Sequence, residues 1–99
     1  MRKRFENKVV IVTGSGSGIG ETTAIKFSEE GANVIIADIN PDTGNQVANT
    51  INDKAGKSQF IETDVSDLNS VKDMVEETVK QFGPPDAVSY THLTLPTKA

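Results

Sequence analysis

Residues 12–20 read VTGSGSGIG, with a glycine at every second position from Gly14 to Gly20. Such a run is a flexible linker, a phosphate cradle or a tight turn from strand into helix, and its flanks decide among the three. Lys8 to Thr13, KVVIVT, is β-branched and almost continuously apolar, the pattern of a strand buried on both faces of a parallel sheet. After the glycines, ETTAIKFSEE (21–30) reads as a helix with Ile19, Ala24 and Phe27 on one side, and Gly31 is placed to stop it. A run that joins a buried strand directly to a helix is a poor linker. A Walker-type phosphate loop needs a lysine after its last glycine, and none follows here. Strict GxGxxG spacing also fails: counted from Gly14 the last position is Ile19, and counted from Gly16 it is Glu21. TGxxxGIG does fit, with Thr13, Gly14, Gly18, Ile19 and Gly20. In that reading the backbone turns sharply against a ligand, and the N–H groups opening the helix face a pyrophosphate, helped by the positive end of the helix dipole. The competing reading is a turn that serves the fold alone.

The rest of the chain repeats the strand–helix alternation. Asn33 to Ala37, NVIIA, is a second buried strand. A second helix follows, with Asn40 as N-cap, Pro41 at the first helical position and Asp42 at the positive end. Its apolar residues Val47, Ala48, Ile51 and Ala55 recur at helical spacing, and Gly56 closes it. SQFIETDV (58–65) is a third strand. SVKDMVEETVKQF (70–82) is the most regular helix, with Val71, Met74, Val75, Thr78, Val79 and Phe82 in one stripe and Gly83-Pro84-Pro85 as its end. A short fourth strand is expected over 86–90. The order βαβαβα plus a partial fourth strand predicts an α/β fold, the N-terminal half of a doubly wound parallel sheet with right-handed crossovers.

The bulk numbers exclude several classes. With 99 residues the chain is at most one small domain. It is 35% hydrophobic and 24% charged, which suits a globular rather than a disordered chain. A net charge of −4 argues against nucleic acid or anionic membrane as a partner, and the basic cluster Arg2-Lys3-Arg4 reads as a solvated terminus. There is no cysteine, so thiolate chemistry and disulfides are excluded, and the lone His92 has no metal-ligand companion at a sensible spacing. Apolar runs such as Val9 to Val12 are far too short to span a bilayer, and Glu6, Asn7 and Lys8 break any signal-peptide core. A cytoplasmic location is the expectation.

Two further positions speak to a dinucleotide. Asp38 ends the second strand, eighteen residues beyond Gly20, near the spacing at which a carboxylate meets the adenosine ribose. It would accept from the ribose hydroxyls and repel a 2′-phosphate, and no basic residue stands at Ser15, Ser17 or Ile39 to welcome one. NAD is therefore expected over NADP. The bland alternative is a turn aspartate before a helix. Asp64 and Val65, after the third strand, either touch the adenine edge or help to start the next helix.

Taken together, KVVIVTGSGSGIG, the acidic ADI and TDVSD resemble the short-chain dehydrogenase/reductase family, in its large classical branch, over roughly residues 5 to 87. The resemblance implies a Rossmann-type fold and an NAD(P)-dependent oxidoreductase that moves hydride between nicotinamide and a carbonyl or alcohol carbon of a small molecule, in a parent that is a homo-oligomer. By position it implies that Gly14, Gly18 and Gly20 line the pyrophosphate, that Ile19 contacts the cofactor, that Asp38 holds the ribose, and that Asp64 and Val65 flank adenine. The match lapses near residue 88, which divides the chain into a cofactor-binding half-domain, 1–88, and a non-family tail, 89–99. SYTHLTLPTKA contains no Asn-Asn-Ala-Gly segment, and from about Ser89 it resembles translated sequencing-adapter DNA, a divergent C-terminus being the alternative. Tyr90 lacks the lysine four residues on that the family's catalytic tyrosine has, Thr94 standing there instead. No catalytic residue is therefore assigned, and the 99-residue chain by itself is expected to be inactive. Two other functions stay open: a non-catalytic dinucleotide sensor, and a plain α/β interaction domain.

Overall fold

The computed structural model describes residues 5–14, 18–54 and 56–90, without the side chains of Ile19, Ser89 and Tyr90. Four strands and three helices alternate: β1 (Val9–Thr13), α1 (Gly18–Glu29), β2 (Asn33–Asp38), α2 (Pro41–Asp53), β3 (Lys57–Glu62), α3 (Leu68–Phe82) and β4 (Ala87–Tyr90). The strands form one sheet in the order β3-β2-β1-β4, and every pairing is parallel. The chain thus winds outward from β1 to β3, then crosses back over β1 to lay down β4.

Alternation along the central strands builds two cores. Val10, Val12, Val34 and Ile36 point to one face, where they meet Ala24 of α1 and Val47, Ala48 and Ile51 of α2. Ile11, Ile35 and Ala37 point to the other, where they meet Met74, Val71, Val75 and Phe82 of α3. This two-sided burial is why β1 and β2 read as unbroken apolar runs. Each fully buried valine or isoleucine contributes about 1.5–3 kcal/mol of transfer free energy, which makes these two strands the anchor of the domain.

Several boundaries differ from the sequence reading. Helix α1 starts at Gly18, three residues before Glu21, so Gly18 and Gly20 are helical rather than part of the turn. It ends as expected at Gly31, which adopts φ 94°. The Gly31 and Ala32 N–H groups donate to the Ser28 and Phe27 carbonyls in a paired C-terminal cap. Helix α2 starts at its Asn40 cap but finishes at Asp53 with Lys54 as C-cap; Gly56 still donates its N–H to the Ile51 carbonyl. Ala55 lies outside the described residues. Strand β3 stops at Glu62, not Val65, because its partner β2 stops at Asp38, the last residue paired. Helix α3 starts at Leu68, capped by Asp67. In its stripe Met74 and Thr78 are buried, but Val79 is 44% exposed, at the border of the sheet face beneath. Strand β4 joins β1 in register, and just before it the Asp86 carboxylate accepts the Val9 N–H at 2.8 Å while the Asp86 N–H donates to the Val9 carbonyl at 2.7 Å. The strand crosses the expected boundary at residue 88; residues 91–99, including His92 and Thr94, lie outside the description.

Candidate dinucleotide site at the strand ends

Parallel pairing places the C-terminal ends of β1, β2 and β3 side by side. The Gly14 N–H donates to the Ala37 carbonyl at 3.0 Å, and the Thr63 N–H donates to the Asp38 carbonyl at 2.8 Å. These two bonds carry the ladder one residue past β1 and β3. They gather Gly14, Asp38, Asp64 and Val65 around one hollow of about 120 Å³, with Ala37, Ile39 and Thr63 completing its wall. Open α/β sheets bind ligands at this edge. A larger groove of about 390 Å³ lies elsewhere, between Phe5 and the outer side of α1 (Thr22, Thr23, Lys26, Phe27, Glu30), and none of the strand ends reaches it.

The two glycines tested most directly by geometry behave differently. Gly14 leaves the strand with φ 64°, the left-handed region that other residues enter only with strain. Gly18 opens α1 without a positive φ, and a Cβ built there meets no atom of the described residues within 4 Å. Neither the backbone conformation nor packing against the described residues therefore requires glycine at 18. The space above it is open at the end of the helix where the first N–H groups lack intrahelical partners and the dipole is positive. Gly20 is buried in the same turn, and the Ile19 backbone belongs to it; the Ile19 side chain and residues 15–17 lie outside the description.

Asp38 is half-buried, and its Oδ1 accepts the Asn40 N–H at 3.1 Å. Asn40 in turn caps α2, its Oδ1 accepting from Asp42 and Thr43. Asp64 is not the cap of α3; that residue is Asp67, whose carboxylate accepts the Asn69 N–H. Instead the Asp64 carboxylate folds onto Ser66, accepting the hydroxyl at 2.6 Å and the N–H at 3.0 Å. Both bonds favour the charged form, the hydroxyl more than the amide, and hold the carboxyl below its usual range. The Asp64 N–H donates to Ser70 Oγ at 2.9 Å, tying the loop to α3. Thr63 carries no signal in the sequence, and Ile39 is marked there only as a position without a basic side chain. Thr63 is buried, with its hydroxyl on the Ile61 carbonyl, and Ile39 is an exposed apolar side chain at 60%; only their place at the strand ends marks them. Among the described residues no group of histidine, cysteine and carboxylate side chains is arranged to hold a metal, and no helix is long and apolar enough to cross a membrane.

Comparison with known proteins agrees with this fold. The short chain dehydrogenase family model matches residues 8–90. The chain is 46% identical over 84 residues to (+)-cis,trans-nepetalactol synthase of Nepeta racemosa, covering 84% of this chain and 30% of that protein. It is 43% identical over 84 residues to secoisolariciresinol dehydrogenase of Forsythia intermedia, covering 85% and 30%. Among solved structures, the hydroxysteroid dehydrogenase of Escherichia coli superposes with a TM-score of 0.86 at 30% identity, over 88% of this chain and 37% of that one. A Haemophilus influenza protein assigned provisionally as a D-mannonate oxidoreductase, solved with bound NAD, gives 0.81 at 30% identity over 84% and 30%. The chain thus spans about a third of the length of these relatives. A glycine-opened first helix, an acidic end to β2 and this family match over nearly the whole described sheet lead to one assignment: the chain belongs to the short-chain dehydrogenase family of oxidoreductases.

Proposed function

We propose that this chain is the cofactor-binding half of an oxidoreductase that moves hydride between a nicotinamide dinucleotide and a carbonyl or alcohol carbon of a small molecule. The observation that carries the proposal is the hollow at the strand ends, where Gly14, Asp38, Asp64 and Val65 share one wall. The fit is supported by Gly18, where no described residue comes within 4 Å of the position a Cβ would take. Gly14, Gly18 and Gly20 would hold the pyrophosphate through backbone approach, with Ile19 beside it. Asp38 would accept from the ribose hydroxyls while it holds the Asn40 N–H. Val65 and Ile39 offer apolar surface to the adenine ring, with Asp64 at its edge. When bound, the cofactor supplies the hydride chemistry; the residues of this chain bind and orient it, and none is assigned a role in proton transfer.

NAD is the preferred form in this reading. A 2′-phosphate would sit against Asp38, within a wall that includes Asp64 and, among the described residues, no lysine or arginine. Titrating the 99-residue chain with NAD and with NADP, followed by amide chemical shifts, tests both parts. NAD is expected to shift Gly14, Gly18, Asp38 and Thr63–Val65, and NADP to bind more weakly. Shifts confined to the Phe5–α1 groove, or tighter binding of NADP, would overturn the proposal.

A further inference from the structure

Asp38 does not stand alone at the end of β2; its carboxylate is held by the residue that starts α2. Asn40 adopts φ −98° and ψ 108°, the extended geometry of an N-cap, and Pro41 after it disfavours the helical alternative. In that conformation its N–H points back to Asp38 Oδ1 at 3.1 Å while its own Oδ1 takes the Asp42 and Thr43 N–H groups at 2.9 and 3.3 Å. Its carbonyl accepts the Gly44 N–H at 3.0 Å, the first bond of the helix. From the other side, the Asp38 carbonyl is fixed by Thr63 at 2.8 Å. Asn40 is thus the link between the helix and the carboxylate: the side-chain cap sets the backbone, and the backbone N–H aims the acid.

We propose that Asn40 is a positioning residue for cofactor choice, acting through Asp38 without touching the cofactor. The inference rests on the reading of Asp38 as the ribose site. A fixed carboxylate favours NAD by accepting from the hydroxyls and opposes NADP by standing against the 2′-phosphate. Loosening it weakens NAD and relieves NADP, so the ratio of the two affinities moves even where overall stability changes little.

The experiment measures dissociation constants for NAD and NADP by isothermal titration on the wild-type chain, Asn40→Ala, Asn40→Ser and Ile51→Val. Asn40→Ala keeps the N–H that holds Asp38 but loses the cap acceptor that fixes its direction, and the NAD-to-NADP affinity ratio is expected to fall up to about fivefold, the equivalent of losing the Asn40–Asp38 bond altogether. Asn40→Ser retains a cap acceptor and is expected to keep the wild-type ratio. Ile51→Val loosens α2 from its buried side, far along the helix from the cap, and is expected to leave the ratio unchanged. A folded Asn40→Ala with the wild-type ratio overturns the role of Asn40, as does an equal fall in Ile51→Val. A wild-type chain with no preference for NAD overturns instead the ribose reading on which it rests.

Discussion

Replacing Gly44 by alanine sets two effects against each other, and the structure decides between them. Gly44 is buried inside α2, where alanine ordinarily stabilises a helix by about 0.5–1 kcal/mol through lower backbone entropy in the unfolded chain. A Cβ built on Gly44, however, falls 2.2 Å from Phe60 Cε1 and 2.3 Å from Cδ1, on the facing side of β3. Ordinary carbon contacts lie at about 3.5–4.0 Å, so more than an ångström must be found. The ring is rigid, and Cδ1 sits one bond from its anchor, so the ring swings as a whole or α2 lifts from β3. Overpacking of this kind costs about 1–3 kcal/mol, and the net expectation is a loss of about 1–2 kcal/mol. For a domain of this size that lowers Tm by about 4–8 °C per kcal/mol. Thermal melts followed by far-UV circular dichroism on wild type, Gly44→Ala, Phe60→Leu and the double variant isolate the contact. With the ring gone, the alanine is expected to become neutral or stabilising. A Gly44→Ala variant that melts above wild type, or one whose shift is the same with Phe60 and with leucine, refutes the reasoning.

Other outcomes follow from the strand-end hollow. Asp38→Ala is expected to weaken NAD and narrow its advantage over NADP; an unchanged advantage by titration removes Asp38 from cofactor choice. Gly18→Val is expected to abolish NAD binding with little change in Tm, because its side chain meets no atom of the described residues but fills the space above the helix start, whereas Gly16→Ala is expected to be much milder. Equal losses at the two positions would place the glycine frame elsewhere. The Asp64 carboxyl titrates lower in the folded than in the unfolded chain, so its stabilising contribution is present above the unfolded value and is lost as pH falls through the folded one, in the acid range below about 4. Ser66→Ala is expected to raise that titration, since the Ser66 hydroxyl is the larger cause; a carboxyl NMR titration identical to wild type contradicts the assignment.

What could be read from sequence was whatever one residue type enforces by itself. The β-branched runs of β1 and β2 are buried on both faces, so no partner was needed to recognise them. Asn40-Pro41 announces a helix start because the cap oxygen and the proline act locally. Features settled by neighbours were not legible. Strand β3 ends where β2 ends, which no residue of TDV announces. Asp64, Ser66 and Asp67 are all chemically able to cap α3, and only the path of the loop selects Asp67. Glycines conceal the first turn of α1, since their low helix propensity speaks against the helix that the strand exit imposes. In the site, Gly14, Asp38, Asp64 and Val65 could be named separately from their spacing, but their gathering around one hollow depends on parallel register. Thr63 carries no chemistry that would mark it, and Ile39 is legible only as a missing basic residue; their place in the wall follows from the strand ends.

The pincer between Asp86 and Val9 joins residues 77 positions apart, whereas the first β1–β2 pair, Val9 with Asn33, spans only 24. With closure entropy growing as (3/2)RT ln n, the longer loop costs about 1 kcal/mol more before any contact forms. The order of folding follows. The β1–α1–β2 unit is expected to assemble first, with β3 extending it and β4 docking last. The same asymmetry runs in reverse during native fluctuations: β3 and β4 are both edge strands, but β4 closes the longer loop and is expected to detach first. Amide hydrogen exchange should then be fastest, among the four strands, at residues 87–90.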